Sequence, residues 1–206
     1  MDRDGWNERY RTADLVWGAD ANCFVEQTLG AREPAGRALD LACGEGRNAI
    51  WLAKRGWAVT AVDYSDVAIE RARKLAATEG VEVEWVCADL TSYEPDPEAF
   101  ALVVISYLQV GRAERRLVLA HTARALAPGG ELFMIGHALR NLMEGVGGPQ
   151  DPLVLWDPDE ISDELRAAGL RVERCEEVVR TLAAETGAQQ AIDVLADARR
   201  NAAPSP

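Results

Sequence analysis

Between about residue 35 and residue 138 the apolar positions switch repeatedly between a strand-like and a helix-like period, which predicts strands and helices in alternation. Arg37-Ala38-Leu39-Asp40-Leu41-Ala42 is a short apolar run that stops at glycines, and Ala58-Val59-Thr60-Ala61-Val62-Asp63 is β-branched and ends in an acid. Residues 81–87 (Val-Glu-Val-Glu-Trp-Val-Cys) alternate, as a strand buried on one side does, whereas Phe100 to Ile105 is continuously apolar and predicts a strand covered on both faces. Glu131 to Gly136 supplies a fifth strand.

Helices are predicted between them, over Asn48 to Arg55, Asp66 to Glu79 and Ala113 to Leu126. Ser65 suits the N-cap of the second of these and Gly80 its stop. Val67, Ile69, Ala72, Leu75 and Ala76 recur along it at three- and four-residue steps, as a face packed on a sheet requires. Strands separated by helices of this length predict a parallel sheet with right-handed crossovers, hence an α/β, doubly wound fold with helices on both faces.

Two segments flank that core. Residues 1–33 carry Trp6, Tyr10 and Trp17 among polar residues, followed by a predicted helix from about Asp20 to Leu29. After a loop rich in Gly and Pro over residues 139–156 come a helix (Asp159 to Ala168) and an alternating strand (Leu170 to Val179), while Gln190 to Ala198 fits helix or strand equally well. Residues 1–200 therefore read as one domain, with 1–33 as an N-terminal cap, 35–138 as the core and 139–200 as substrate loop and C-terminal strands. Residues 201–206 read as a disordered tail.

Charge narrows the choice of partner. Lys plus Arg number 22 against 34 for Asp plus Glu, a net charge of −12 among 206 residues. A surface that acidic is repelled by phosphate backbones and anionic lipid, which argues against nucleic acid and membrane partners. No apolar run is long enough to span a bilayer, and the first residues lack a signal-peptide pattern, so a cytoplasmic protein is expected. Cys23, Cys43, Cys87 and Cys175 have no metal-ligand spacing and read as reduced, small buried hydrophobes. With only His121 and His137 in addition, no metal site is expected.

The chemistry concentrates in Leu39-Asp40-Leu41-Ala42-Cys43-Gly44-Glu45-Gly46-Arg47-Asn48-Ala49. A glycine-rich turn between a strand and its helix lets a ligand approach backbone that a Cβ would obstruct. Asp63, at the end of the second strand, stands where a carboxylate accepts ribose hydroxyls. These features fit either a nicotinamide dinucleotide or an adenosyl cofactor. Asp40 favours the second: a carboxylate at this turn repels a pyrophosphate, whereas S-adenosylmethionine brings an ammonium and a sulfonium. Asp89, just past the third strand, is placed to accept from an adenine amino group.

The run Leu39-Asp40-x-x-Cys43-Gly44-x-Gly46-Arg47-Asn48, with Val62-Asp63-Tyr64-Ser65, Ala88-Asp89-Leu90 and Leu126-Ala127-Pro128-Gly129-Gly130, resembles the class I S-adenosylmethionine-dependent methyltransferases over about residues 35–136. The Cys-Gly-x-Gly-Arg-Asn form, with Trp6-x-x-Arg9-Tyr10 near the start, is similar to the small tellurite-resistance and thiopurine methyltransferase branch. The resemblance implies that Asp40, Gly44 and Gly46 hold the methionine part, with Ala42 also among the cofactor-binding residues. It gives the ribose to Asp63 and the adenine to Ala88, Asp89 and Leu90. Tyr64 lies along the adenosine, and Ser106 and Tyr107 line the methionine end. It also implies a seven-stranded sheet with an antiparallel last strand, which makes Gln190 to Ala198 a strand.

Other positions are weighed on local grounds. His137 follows the fifth strand and serves either as general base, with Tyr107 as its companion on the catalytic side, or as a hydrogen-bonding partner of the next loop. His121 reads as structural or surface. Trp6, Tyr10 and Trp17 are expected to close over the cofactor as a lid, the alternative being packing on the sheet edge. Arg140, Asn141 and the Gly147-Gly148-Pro149 loop are candidate pocket residues. Ser106-Tyr107-Leu108 is not the Asn/Asp-Pro-Pro-Tyr used in amide and base amino methylation, so a small-molecule acceptor (sulfur, oxygen, nitrogen or a chalcogen oxyanion) and a monomer or homodimer are expected. The rivals are a non-catalytic S-adenosylmethionine binder and a nicotinamide-dependent oxidoreductase.

Overall fold

In a computed structural model, residues 1–12, 15–182 and 189–202 are described. The core strands are β1 (Arg37–Leu41), β2 (Ala58–Asp63), β3 (Glu84–Cys87), β4 (Phe100–Ser106) and β5 (Leu126–His137), joined through α3 (Arg47–Lys54), α4 (Asp66–Thr78) and α5 (Arg112–Ala125). Before them lie α1 (Arg3–Thr12) and α2 (Cys23–Leu29); after them come α6 (Asn141–Glu144), α7 (Pro158–Ala167), β6 (Leu170–Leu182) and β7 (Gln189–Arg200). The seven strands form one sheet in the order β3-β2-β1-β4-β5-β7-β6, parallel from β3 to β5. β7 runs antiparallel to both β5 and β6.

The reason for this order lies in burial. β4 has Val103, Val104 and Ile105 at 0% exposure, the centre of a sheet covered on both faces. One apolar layer gathers Leu39, Val103, Ile105, Leu119, Met134, Trp156 and Ile161; the other gathers Val25, Ala38, Leu52, Ala61, Ile69, Val104 and Phe133. Ser65 caps α4 by accepting from the Ala68 N–H, and Gly80 follows that helix with φ +68°.

Several boundaries differ from the sequence reading. β3 begins at Glu84, not Val81, because it is an edge strand paired only with β2, whose register ends at Thr60↔Glu84. Ala127-Pro128-Gly129-Gly130 does not precede β5 but lies inside it, as an irregularity in its pairing with β4. Gln190 to Ala198 is strand, buried between β5 and β6. Arg3–Thr12, polar apart from its aromatics, forms a helix. Of the cysteines only Cys43 is buried; Cys87 is exposed at the end of the edge strand, and Cys23 and Cys175 are intermediate. The expected disordered tail falls largely on residues 203–206, outside the described residues. Among the described residues no helix is long and apolar enough to cross a membrane.

Gly46 shows how tightly the first turn is built. It has φ +80°, and a Cβ there would stand 2.3 Å from Trp85 Cη2 and 3.1 Å from Ala72 Cβ. Neither the indole on β3 nor the α4 backbone yields easily, and the left-handed conformation adds its own penalty. Gly46→Ala is expected to cost about 2–4 kcal/mol, lowering the thermal midpoint by roughly 5–10 °C. A midpoint within a degree of the native one would show that Trp85 can move aside.

Candidate active site

β1, β2, β4 and β5 run parallel, so their carboxyl ends share one edge of the sheet, and ligands in such folds bind at that edge. A cavity of about 660 Å³ opens there, a size ordinary for ligand sites. It is lined at one end by Ala42, Gly44, Asp63, Tyr64, Asp89 and Leu90, and at the other by Ser106, Tyr107, His137, Val154 and Arg180. Trp6, Tyr10 and Trp17 line it from the N-terminal side.

Three of the expected ligand residues stand elsewhere. Gly46 turns toward Trp85 and serves packing. Ala88 is half-buried against the core, its N–H donating to the Asp63 carbonyl. Asp40 lies behind the turn, fully buried, with Ala61 and Val104 as its neighbours across the sheet. Neither of its side-chain oxygens has a hydrogen-bond partner. Burial pushes its carboxyl up to about 7; the nearby Ala49 N–H opposes the rise, the negative charge of Asp63 adds to it, and the Arg47 guanidinium opposes it more weakly.

The turn itself is held by carboxylates. Asp63 accepts from the N–H of Gly44 at 2.8 Å and of Ser65 at 2.9 Å, and burial raises its carboxyl above the ordinary carboxylate value. Glu45, almost wholly buried, accepts from Arg71 at 2.9 Å and from the Val16 N–H at 2.8 Å, fastening the N-terminal segment over the turn. Asp89 accepts from both the N–H and the hydroxyl of Thr91 through Oδ1 at 2.8 Å, so it also forms the turn after β3. Ala42 has φ +60°, a left-handed position that glycine fills without strain.

The N-terminal aromatics are docked, not free. Asn7 donates to Asp66 at 2.9 Å and accepts from the Ser65 hydroxyl at 2.6 Å, fixing α1 on the start of α4. Trp6 stacks on Tyr10 at 5.8 Å, and Arg9 lies over Trp17 at 4.7 Å. Arg47 donates to the Trp17 carbonyl at 2.8 Å. A Cβ on Gly44 would come within 2.9 Å of Tyr10 Oη, so glycine keeps the passage between turn and cap open. Burial, reinforced by the charge of Asp63, pushes the Tyr10 phenol well up, and the phenol is neutral.

At the other end a polar cluster surrounds Asp193 of β7, which is fully buried. Its Oδ2 accepts from Tyr107 Oη at 2.9 Å and from Arg180 Nε at 3.0 Å, and its Oδ1 lies 3.1 Å from His137 Nδ1. Burial works against its ionisation, but the His137 contact and the Arg180 charge outweigh it and hold the carboxyl below the ordinary value. Tyr107, at φ +55°, also accepts from Asn22 at 3.3 Å, and burial drives its phenol up. Asn48 links the two ends of the cavity, accepting from the Asn22 N–H and donating to the Ser106 hydroxyl at 3.1 Å. Arg180, Asp193 and Asn22 carry no signal in the sequence, and Asn48 stands there only as part of the turn motif.

Other candidates resolve simply. Arg140 pairs with Glu144 and Glu177, and Asn141 donates to the Gly147 carbonyl, so neither reaches the cavity. Burial pushes the Cys43 thiol well above its ordinary value, which leaves it a poor nucleophile.

Comparison with known proteins agrees with this geometry. Residues 38–130 match the methyltransferase domain family. That span is β1 through the start of β5, and it holds the turn with Asp63 and Asp89. The demethylmenaquinone methyltransferase of Clavibacter sepedonicus is 38% identical over 121 residues, covering 58% of this chain and 49% of that protein. The chain thus spans about half the length of such a relative. A solved structure concerned with the conversion of a disulfide bond into a thioacetal group during echinomycin biosynthesis superposes at a TM-score of 0.78, with 23% identity over 97% of this chain and 92% of that one. A Methanosarcina mazei S-adenosylmethionine-dependent methyltransferase does so at 0.70, with 18% identity over 89% and 100%. At such identities the methyltransferase structures establish a shared fold, Rossmann-like in its strand order.

Proposed function

We propose that the protein is an S-adenosylmethionine-dependent methyltransferase acting on a small acceptor. The observation that carries this reading is the partnerless Asp40 carboxyl beneath a turn that opens on a cavity rimmed by Asp63 and Asp89. A buried acid without a partner is costly, and a cation nearby is the natural compensation. A dinucleotide pyrophosphate at this turn would meet a charge of its own sign and be repelled. The residues fit the adenosyl group: Gly44 leaves room for it and Asp63 keeps lone pairs for ribose hydroxyls. Asp89 Oδ2 is left for the adenine amino group, and Arg47 is the cation facing an amino-acid carboxylate. Asp40 acts through its field, from behind the wall.

When bound, S-adenosylmethionine supplies a methyl group on a positively charged sulfur, which leaves with the C–S electron pair as the acceptor's lone pair takes the carbon. The chain's part is alignment and exclusion of water. Trp6, Tyr10 and Trp17 cover the adenosyl end, Tyr64 and Leu90 flank it, and Ser106 and the Tyr107 ring bound the passage to the acceptor end. The cavity continues to His137, Val154 and Arg180, which leaves an acceptor space that a binder without catalysis does not need. His137 is the general base. The Cys-Gly-x-Gly-Arg-Asn turn and Trp6-x-x-Arg9-Tyr10 support a place near the tellurite-resistance and thiopurine branch. The net charge of −12 supports a protein that does not bind nucleic acid.

Calorimetric titration with S-adenosylmethionine, S-adenosylhomocysteine and NADH decides the matter. Saturable binding of the first two and none of the third is expected; binding of NADH alone would overturn the reading.

A further inference from the structure

We propose that Asp193 is the positioning residue of the acceptor end, locking His137 in the Nδ1–H tautomer so that Nε2 faces the cavity as proton acceptor. The proposal rests on the methyltransferase reading for the purpose of that proton, though not for the geometry. Asp193 is fully buried on β7, yet its two oxygens reach three side chains that line the cavity: Tyr107 just after β4, His137 at the end of β5 and Arg180 in β6. The tautomer follows from the bonding. Oδ2 already receives two donors, the Tyr107 hydroxyl and Arg180 Nε. Oδ1 can only accept, so the atom 3.1 Å away, Nδ1 of His137, carries a hydrogen. Among the described residues Nε2 has no hydrogen-bond partner.

The ring has little freedom to turn. Tyr107 lies on one side with its centroid 4.6 Å from the imidazole. Gly148 lies close by, where a Cβ would stand 3.1 Å from His137 Cγ and Nδ1. The imidazole is thus held in a slot, with one nitrogen tied behind and the other forward.

The chemistry this prepares is deprotonation of a neutral acceptor. As the new bond to carbon forms, an acceptor hydroxyl or thiol gives its proton to Nε2 and keeps the electron pair of the broken O–H or S–H bond. His137 becomes an imidazolium whose charge Asp193 balances.

The test reads the tautomer itself. With only two histidines in the chain, His137→Gln assigns the imidazole signals, and long-range proton–nitrogen correlation spectra report which nitrogen bears hydrogen. The native protein at neutral pH is expected to show Nδ1–H and a bare Nε2. In Asp193→Asn the amide oxygen must still serve Tyr107 and Arg180, which turns the NH2 toward Nδ1. His137 is then expected to switch to the Nε2–H form, losing its proton-accepting face. A native spectrum showing Nε2–H or an imidazolium overturns the proposal, as does an Asp193→Asn spectrum that keeps Nδ1–H. Should Asp193→Asn fail to fold, the native spectrum decides alone. Calorimetry with S-adenosylhomocysteine on the native protein reports separately on the cofactor reading, whose failure would leave the tautomer result standing.

Discussion

Asp63→Ala is expected to weaken S-adenosylhomocysteine binding by 100-fold or more while leaving a folded protein. An ionised carboxylate has about four lone-pair sites. Two of those on Asp63 are taken by the N–H groups of Gly44 and Ser65, and the residue lines the cavity. Hydrogen bonds to a charged acceptor contribute roughly 1.5–3 kcal/mol each, so losing those to two ribose hydroxyls corresponds to about 100-fold or more in affinity. The substitution also frees two backbone donors at the turn, and a cost of about 1–3 kcal/mol in stability should accompany it. Asp63→Asn separates the effects, because its amide oxygen can serve one N–H but offers the ribose a donor where an acceptor is needed. Calorimetry of both variants, beside urea denaturation, checks this. An Asp63→Ala protein that binds within a few-fold of native would remove the ribose from this residue.

What the sequence made legible is the part of the fold whose signal is local. β1, β2 and β4 announce themselves by continuous apolar runs, and the Ser65 cap and the Gly80 stop mark α4 by their own chemistry. Asp63 could be read because a strand end fixes where its side chain goes. β7 is different: Gln190 to Ala198 carries Asp193 and Asp197 among apolar residues, a pattern that fits either element until β5 and β6 are known to cover it on both sides. For the same reason Asp193 could not be read as a site residue. Its partners lie 86 positions away in Tyr107 and 56 in His137, and only the antiparallel insertion of β7 beside β5 brings them together. The glycine pattern alone does not say that Gly46 turns its Cβ position toward Trp85.

Asp40 yields the least intuitive expectation: its neutralisation should stabilise the empty protein and weaken its hold on a cation. A carboxyl held at about 7 instead of its ordinary 3.8 prefers the protonated form when folded. Below about pH 3 it is protonated in both folded and unfolded chains and costs nothing. As pH rises the unfolded chain ionises first, so the folded state loses stability until the folded carboxyl also ionises near 7. Above that the loss levels off at roughly 4 kcal/mol, within a factor of two. Asp40→Asn removes this dependence while nearly preserving shape. Its advantage over the native protein is therefore expected to grow by roughly 2–3 kcal/mol between pH 5 and pH 8, measured by urea denaturation without ligand. At pH 8 S-adenosylmethionine should narrow that advantage, because its positive charge favours the ionised Asp40 and has no counterpart in the variant. An advantage that stays constant from pH 5 to pH 8 would mean that Asp40 is already compensated within the protein, and the argument for a cationic ligand would lose its main support.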